Sequence, residues 1–157
     1  LNPGGCAAKA GGESMRVSEL MSPSTVTIYP EDTVACAARL MERHGIGVLP
    51  VCSPQGKLKG IVTDRDIATR CVAADLAAEQ TPVREIMSRH VATVPPQADV
   101  REAALHMAQC RIRRLPVAEG GRVLGMVSIG DLMRTHACDM EAAQALAEIS
   151  RPGEGPY

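Results

Sequence analysis

Two Ser/Thr-x-x-Asp motifs carry the chemistry of this chain: Thr63 with Asp66, and Ser128 with Asp131. A hydroxyl residue followed by an acid three positions later is typical of a capping box, which stabilises a helix start by about 1 kcal/mol. The free N–H groups of a helix start also suit a phosphate, and an exposed carboxylate suits the hydroxyls of a ribose. The motifs therefore predict two helix starts and two candidate binding sites.

The two motifs belong to a repeat that organises most of the chain. Pro50 and Pro116 lie 66 residues apart, whereas Asp66 and Asp131 lie 65 apart. The second unit has therefore lost one residue between Pro116 and Asp131, in its polar turn. A turn is where a duplicated fold tolerates a change of length. We infer two copies of one unit.

The first unit is predicted to run strand, helix, strand, strand, helix. A β-branched segment at residues 25–28 indicates the first strand, and the following helix is predicted to be capped by Asp32 and ended by Gly45. The remaining elements of this unit are strands at Val48–Cys52 and Leu58–Thr63 and a helix over residues 64–74.

The second unit repeats this order, with a first strand at residues 91–94 and a helix capped by Asp99. Strands follow near residues 115–117 and 123–128, and a long last helix is predicted over residues 130–149. Because neither unit can cover both faces of its sheet, we predict an α/β (α+β) fold in which the units pack sheet to sheet as one pseudo-twofold globule.

Composition excludes several classes of function. The formal net charge is −1, with 17 basic and 18 acidic residues, so no overall field attracts nucleic acid or an anionic membrane. Two tyrosines are the only aromatic residues, which leaves almost no platform for base stacking by a single-strand binder. No apolar run reaches the length of a membrane span, and no signal peptide is apparent. We expect a cytoplasmic protein without nucleic-acid or membrane partners.

The six cysteines and four histidines show no CxxC or HxxxH spacing. Small buried thiols are therefore expected rather than disulfides or a metal site. The chain also lacks a Gly-rich phosphate loop, a G-x-S-x-G motif and an H-E-x-x-H motif. Since Asp66 and Asp131 are equivalent by repeat, they would occupy equivalent places rather than complementary acid and base roles. The sequence predicts a binding module, not an enzyme.

The ordered set of motifs, occurring twice, resembles paired cystathionine-β-synthase-type (CBS) domains of the stand-alone bacterial kind. The matching segments are residues 17–21, 49–51 and 60–67 of the first unit, and residues 83–87, 115–117 and 125–132 of the second.

The resemblance implies a division of the chain into four parts. They are a flexible lead at 1–16, a first CBS domain at 17–76, a second CBS domain at 77–140, and a helical extension with a disordered tail at 141–157.

The resemblance also implies two nucleotide clefts. In this family the adenine lies on the first two strands of one unit, and the ribose and phosphate meet the Ser/Thr-x-x-Asp motif of the other. Carried over, the Ser128 cleft would contain Ile28, Tyr29, Ile46, Gly47 and Val48 with Ser128 and Asp131. The Thr63 cleft would contain Val94, Pro95, Ile112, Arg113 and Arg114 with Thr63, Arg65 and Asp66.

Charge distinguishes the two expected clefts. Arg65, Arg113 and Arg114 would all lie in the Thr63 cleft, and guanidinium groups match phosphate oxygens and keep their charge. We therefore expect phosphate in the Thr63 cleft, and a neutral nucleoside or no ligand in the Ser128 cleft. The alternative that Arg111, Arg113 and Arg114 form only a solvated cluster at the start of a strand stays open. The corresponding positions of the Ser128 cleft are Gly130, Gly47 and Val48.

The implied function is regulatory. The pair would need no cofactor, would bind an adenosine derivative (AMP, ADP, ATP, NAD(H) or S-adenosylmethionine) and would signal occupancy to an unidentified regulated protein, as a homodimer. One alternative is a ligand-free dimerisation scaffold; another is a redox or metal sensor built on the cysteines and histidines. Two helix faces rich in Ala and Met would serve a dimer, although such stripes usually belong to the core of a single chain: Ala37, Ala38 and Met41, and Ala103, Ala104 and Met107.

Overall fold

The computed structural model of the protein describes residues 14–152. The predictions for residues 1–13, for Cys6 and for residues 153–157 lie outside this range. The helices are α1 (Val34–His44), α2 (Asp64–Asp66, continued by a π-helix at Ile67–Val72), α3 (Val100–Cys110), α4 (Ile129–Met133) and α5 (Asp139–Ser150). The strands are β1 (Val48–Cys52), β2 (Leu58–Thr63), β3 (Arg114–Glu119) and β4 (Arg122–Ser128). Single 3-10 turns occur at Val17–Glu19, Val83–Glu85 and His136–Cys138.

The mixed fold with two small sheets confirms the predicted fold class. Strands β1 and β2 pair antiparallel, as do β3 and β4, and each pair carries a register shift at the same repeat position. The shift lies between Val51 and Cys52 in one sheet and between Val117 and Ala118 in the other. The duplication seen in the sequence is therefore a duplication of backbone geometry.

The predicted first strand of each unit is wrong, because each segment forms a single β-bridge and no strand. Ile28 makes a single parallel bridge to Val51, with its N–H donating to the carbonyl oxygen of Pro50 (3.1 Å). The missing N–H of Pro50 lies on the same strand edge, so the ladder cannot continue towards residue 26. Val94 makes the same single bridge beside Pro116.

Each unit has its own core, but the leading turn of each repeat (Val17–Glu19 or Val83–Glu85) packs in the core of the other unit. Val17, which begins the first repeat, is fully buried in the core of the second unit, and its N–H donates to the carbonyl oxygen of Ala98 (2.9 Å). Val83, which begins the second repeat, is fully buried in the core of the first unit, and its N–H donates to the backbone carbonyl oxygen of Asp32 (2.7 Å). The predicted domain boundary at residue 76 therefore separates the two sequence repeats but not the two cores.

The last residues of the predicted flexible lead are paired in the structure. The carbonyl oxygen of Met15 accepts from the N–H of Val100 (2.9 Å), and Arg16 forms a β-bridge with Asp99. Met15 also packs against the second core. The prediction of a flexible lead is therefore wrong for these residues, because they cover the start of α3.

Two reciprocal β-bridges continue this exchange. Ser22 pairs with Met126 of β4 (2.8 and 3.1 Å), and Ser88 pairs with Ile61 of β2 (both 2.9 Å). Each segment that follows a leading turn thus extends the sheet of the other unit. The two units are joined by backbone hydrogen bonds as well as by side chains.

The predicted N-cap residue is confirmed for α3 and wrong for α1. Asp99 caps α3 as predicted, accepting from the N–H of Arg101 (2.7 Å). The cap of α1 is Thr33, whose hydroxyl accepts from the N–H of Cys36 (3.2 Å), and not Asp32. Asp32 instead accepts from the N–H of Tyr29 and closes the preceding turn.

The long last helix predicted over residues 130–149 is also wrong, because α4 and α5 are separate. The chain leaves α4 at Thr135, which is extended, and the Thr135 hydroxyl donates to the carbonyl oxygen of Leu132 (3.1 Å). This bond occupies an acceptor that a continuing helix would use. Among the described residues no helix is long and apolar enough to cross a membrane.

The dimer faces expected from the sequence are mostly interior. Ala37, Ala103, Ala104 and Met107 are completely buried within the chain, and Met41 is nearly so. Of that set only Ala38 is exposed. The Ala- and Met-rich stripes therefore pack in the two cores of the same chain.

Two glycines permit the reciprocal bridges. A Cβ at Gly60 would meet Met87 Sδ at 2.7 Å and the carbonyl oxygen of Ser88 at 2.8 Å, and a Cβ at Gly125 would meet the corresponding oxygen of Ser22 at 2.6 Å. We expect Gly60→Ala and Gly125→Ala each to lower the free energy of unfolding by about 1–3 kcal/mol in urea denaturation, because backbone must shift. Gly130 is the control.

At Gly130 the nearest atom to an added Cβ is Ser128 Oγ, at 3.6 Å, which is an ordinary contact. Gly130→Ala should therefore be neutral or slightly stabilising, as expected for glycine replaced in a helix. Equal stabilities of the Gly60 and Gly130 variants would contradict the close approach.

The caps of α1 and α3 provide a second test, based on pH. The Ser14 hydroxyl and the Arg101 N–H donate to Asp99 and lower the pKa of its carboxyl. This stabilisation is present above the unfolded pKa, about 4, and is lost as pH falls through the lower folded pKa. We expect Asp99→Ala to cost about 1 kcal/mol at pH 7 and less at pH 2–3.

The matched control is Thr33→Ala, which removes the equivalent cap of α1. Threonine does not titrate, so its cost should be the same at both pH values. Chemical denaturation at pH 7 and at low pH measures both variants. A pH-independent cost for Asp99→Ala would show that the carboxylate charge contributes nothing.

Candidate functional site

The two Ser/Thr-x-x-Asp motifs form equivalent capping boxes at the starts of α2 and α4. The Thr63 hydroxyl accepts from the N–H of Asp66 (3.1 Å) and donates to Asp66 Oδ2 (2.8 Å), which also accepts from the N–H of Thr63 (2.9 Å). Ser128 and Asp131 repeat these bonds at 3.1, 2.7 and 2.8 Å. The prediction of helix starts at both motifs is confirmed.

Each capping box leaves one carboxylate oxygen for other partners. Asp66 Oδ1 lies 3.5 Å from the Nε of Arg70, and Asp131 Oδ1 lies 3.1 Å from a guanidinium nitrogen of Arg134. Both arginine side chains are largely exposed, so neither pair is sequestered from solvent. Oδ1 is therefore the oxygen through which each motif could accept hydrogen bonds from a ribose.

The larger of the two clefts beside these motifs is the Thr63 cleft, with a volume of about 740 Å³. It is formed by the ends of β2 and α3, the start of β3 and the segment after Ser88. Its lining residues are Gly47, Val48, Ile61, Thr63, Asp64, Arg65, Asp66, Ser88, His90, Val91, Ala92, Cys110, Arg111, Ile112, Arg113, Arg114, Pro116 and Ile149.

The structure brings together six of the residues predicted for this cleft. Two others are absent from it: Val94 is almost completely buried at its bridge, and Pro95 does not reach the lining. The preceding residues 90–92 line the cleft in their place. The six are Thr63, Arg65, Asp66, Ile112, Arg113 and Arg114.

The Thr63 cleft carries more positive than negative charge. Four exposed arginines line it, and within residues 14–152 none of them forms an ion pair. Two carboxylates, Asp64 and Asp66, lie in the same cleft, and Asp64 accepts from the N–H of Arg65 (2.8 Å). Unpaired guanidinium groups at a concave surface are suited to an anion such as phosphate. The four are Arg65, Arg111, Arg113 and Arg114.

Arg111 was absent from the residues predicted for this site. It ends α3 with a left-handed backbone (φ 53°), the conformation that Gly45 adopts at the equivalent end of α1 (φ 62°). A side chain in this conformation costs about 1 kcal/mol relative to glycine. The contrast between glycine and arginine at one repeat position is the sequence signal that could have identified Arg111.

The Ser128 cleft is smaller, with a volume of about 270 Å³. Ile46, Val48, Ser128 and Asp131 lie there as predicted from the family pattern, together with Arg114. The other lining residues are Ser22, Ser24, Thr25, Val26, Pro50 and Met126.

Arg114 corrects the expectation of an uncharged Ser128 cleft. Arg114 and its repeat mate Val48 begin β3 and β1, and both line both clefts. Residues that lie near the pseudo-twofold axis are shared in this way. The charge difference between the clefts therefore depends on Arg65, Arg111 and Arg113.

Three residues predicted for the Ser128 cleft lie elsewhere. Ile28 is 3% exposed and belongs to the first core. Tyr29 lines a separate surface cleft with Pro30, Lys59 and others, and that cleft contains neither motif. Gly47 lines the Thr63 cleft, where a Cβ would meet Asp64 Oδ2 at 2.7 Å.

The cysteines are divided between the interior and the cleft. Burial raises the pKa of the Cys52 thiol, and burial is also the main cause of the raised pKa of Cys138. Cys110 is exposed and lines the Thr63 cleft. Among the residues the structure describes, no three or more His, Cys, Asp or Glu side chains are grouped to hold a metal ion.

Comparison with known proteins agrees with the duplicated fold. The family model described as "CBS domain" matches residues 17–73 and 83–137. The CBS domain-containing protein YhcV of Bacillus subtilis is 40% identical over 134 residues, which are 85% of this chain and 94% of that protein.

Two solved structures show the same fold. The CBS domain pair of MJ0100, crystallised with 5′-methylthioadenosine and S-adenosyl-L-methionine, is 30% identical with a TM-score of 0.70, covering 78% of this chain and 95% of the other. Hypoxic Response Protein I, crystallised with two coordinated zinc ions, is 29% identical with a TM-score of 0.71, covering 76% and 98%. With its two matched segments and two capping-box clefts, this chain belongs to the CBS domain family as a pair of CBS domains.

Proposed function

We propose that this protein is a regulatory module that binds an adenosine nucleotide in the Thr63 cleft and signals its occupancy to a partner. The observation that supports this most is the convergence, in one cleft, of a capping-box carboxylate with four unpaired arginines. The carboxylate suits the ribose hydroxyls, and the guanidinium groups suit the phosphate. Binding of adenosyl ligands by the MJ0100 domain pair supports the same ligand class.

The size of the clefts supports one principal site. Small-molecule sites usually have volumes of about 300–1,000 Å³. The Thr63 cleft, at about 740 Å³, lies within this range, and the Ser128 cleft, at about 270 Å³, lies below it. We therefore assign the nucleotide to the Thr63 cleft, and a smaller ligand or none to the Ser128 cleft.

The base would meet an aliphatic surface. Ala92, Ile112 and Ile149 lie in the Thr63 cleft, and the chain has no Trp or Phe. Such a wall excludes water from an adenine without selecting strongly among adenine nucleotides. The arginines would then set the preference for phosphorylated over uncharged ligands.

Regulation requires only that the ligand binds one state of the protein more tightly than another. We propose that no cofactor is needed and that the output is read by another protein or a second copy of this chain. A homodimer stays a prediction. Its surface would not be the Ala37, Met41 and Met107 stripe, because those side chains are buried within the chain.

Calorimetry against AMP, ADP, ATP, NAD(H), S-adenosylmethionine and adenosine tests the proposal. We expect one phosphorylated nucleotide to bind per chain and Asp66→Ala to abolish this binding. Asp131→Ala is the matched control, because it removes the equivalent capping box at similar cost to stability while leaving the Thr63 cleft intact. Failure of every ligand to bind the parent protein would refute the function. Equal losses in both variants would refute the assignment to the Thr63 cleft.

Replacing Arg111 by glycine separates stability from binding. Arg111→Gly should raise the free energy of unfolding by about 0.5–1 kcal/mol, because glycine adopts a left-handed helix end without strain. The same variant should weaken AMP binding by about three- to tenfold, as expected for loss of one charge-assisted contact. Urea denaturation and calorimetry give the two values.

The control for this variant is Arg122→Gly, at the exposed start of β4 and outside both clefts. It removes the same charge from the chain, so it should not change AMP affinity, and glycine in a strand should not stabilise the fold. An Arg111→Gly protein that is more stable but binds AMP as tightly as the parent would show that Arg111 does not touch the phosphate.

A further inference from the structure

Helix α5 lies outside the repeat and outside the matched segment 83–137, yet it reaches the Thr63 cleft. Ile149, in its last turn, lines the cleft beside Cys110 at the end of α3. The part of the chain with no counterpart in the first unit therefore completes the wall of one cleft only.

The sequence of α5 explains why Ile149 reaches this position. Ala142 and Ala145 are completely buried, and Leu146 and Ile149 continue the same helical stripe as partly buried residues. Alanines allow α5 to lie close to α3, and the larger Ile149 follows where α3 has ended. The apolar face of α5 thus runs from the second core directly to the cleft.

The two helices run in the same direction. Near their starts, Arg101 Nε of α3 donates to the carbonyl oxygen of Ala137 (3.2 Å) and lies 3.6 Å from Glu141 Oε1. Near their ends, Cys110 and Ile149 share the cleft. A ligand in the cleft would therefore contact α5 near its C-terminal end, whereas Arg101 contacts the helix near its start.

Helix α5 is attached by side chains alone. Across residues 14–152, no backbone group of residues 139–150 forms a hydrogen bond with another helix or strand. A helix without backbone bonds to its neighbours can shift without breaking a sheet or a bridge.

We propose that α5 is the element through which occupancy of the Thr63 cleft is reported. The apolar part of a bound adenine nucleotide contacts Ile149, so binding stabilises the last turn of α5. The coupling is reciprocal: whatever stabilises α5 raises nucleotide affinity, and whatever detaches α5 lowers it. The inference rests on the proposed nucleotide site and adds the part of the chain that responds.

Hydrogen exchange with and without saturating AMP tests the inference. We expect slower amide exchange in residues 146–150 when AMP is bound, and no change in residues 34–44 of α1. Ile149→Ala should weaken AMP binding about three- to tenfold and abolish the protection of α5.

Leu146→Ala is the matched control, because Leu146 is also partly buried on α5 but does not line the cleft. It should lower stability while leaving contact with AMP in place, and protection on binding should persist. AMP binding to the parent without protection of α5, or equal AMP affinity of the parent and Ile149→Ala, would overturn the role of α5. Failure of AMP and every other adenine ligand to bind the parent would instead refute the nucleotide site itself.

Discussion

The rest of the structure depends on the reciprocal backbone pairing of Ser22 with Met126 and of Ser88 with Ile61. Each bridge passes over a glycine, Gly60 or Gly125, at a distance that no side chain would permit. Because each leading segment pairs with the sheet of the other unit, neither two-stranded sheet has to be stable alone. This pairing places each capping box beside the strand start of the opposite unit, and so creates the clefts.

The same symmetry makes the differences between the clefts informative. A duplicated backbone would provide two equivalent sites, but Arg111 and Arg113 replace Gly45 and Gly47, and α5 has no counterpart in the first unit. These changes give one cleft its positive charge and connect it to the end of α5. Arg111 retains a strained conformation that glycine would relieve. Strain at a cleft is consistent with selection for binding rather than for stability.

Much of the fold could be predicted because local signals agreed with packing. Gly45 ends α1 in a left-handed conformation, and both capping boxes form as their sequences indicate. The exchange of Val17 and Val83 between the two cores could not be predicted, because the sequence does not indicate which unit each leading turn packs against. Ile28 and Tyr29 were misplaced because Pro50 limits their strand to one bridge, and the preceding residues 24–26 line the Ser128 cleft instead. Arg114 is shared by both clefts because of its position near the axis, which only the assembled fold defines.

The most direct test of asymmetric function in a symmetric fold is a crystal structure of the protein grown with AMP. We expect one nucleotide per chain, with its ribose at Asp66 and its phosphate among Arg65, Arg111 and Arg113, and with Ile149 against the base. Equal occupancy of both clefts, or a nucleotide at Asp131 alone, would contradict the account.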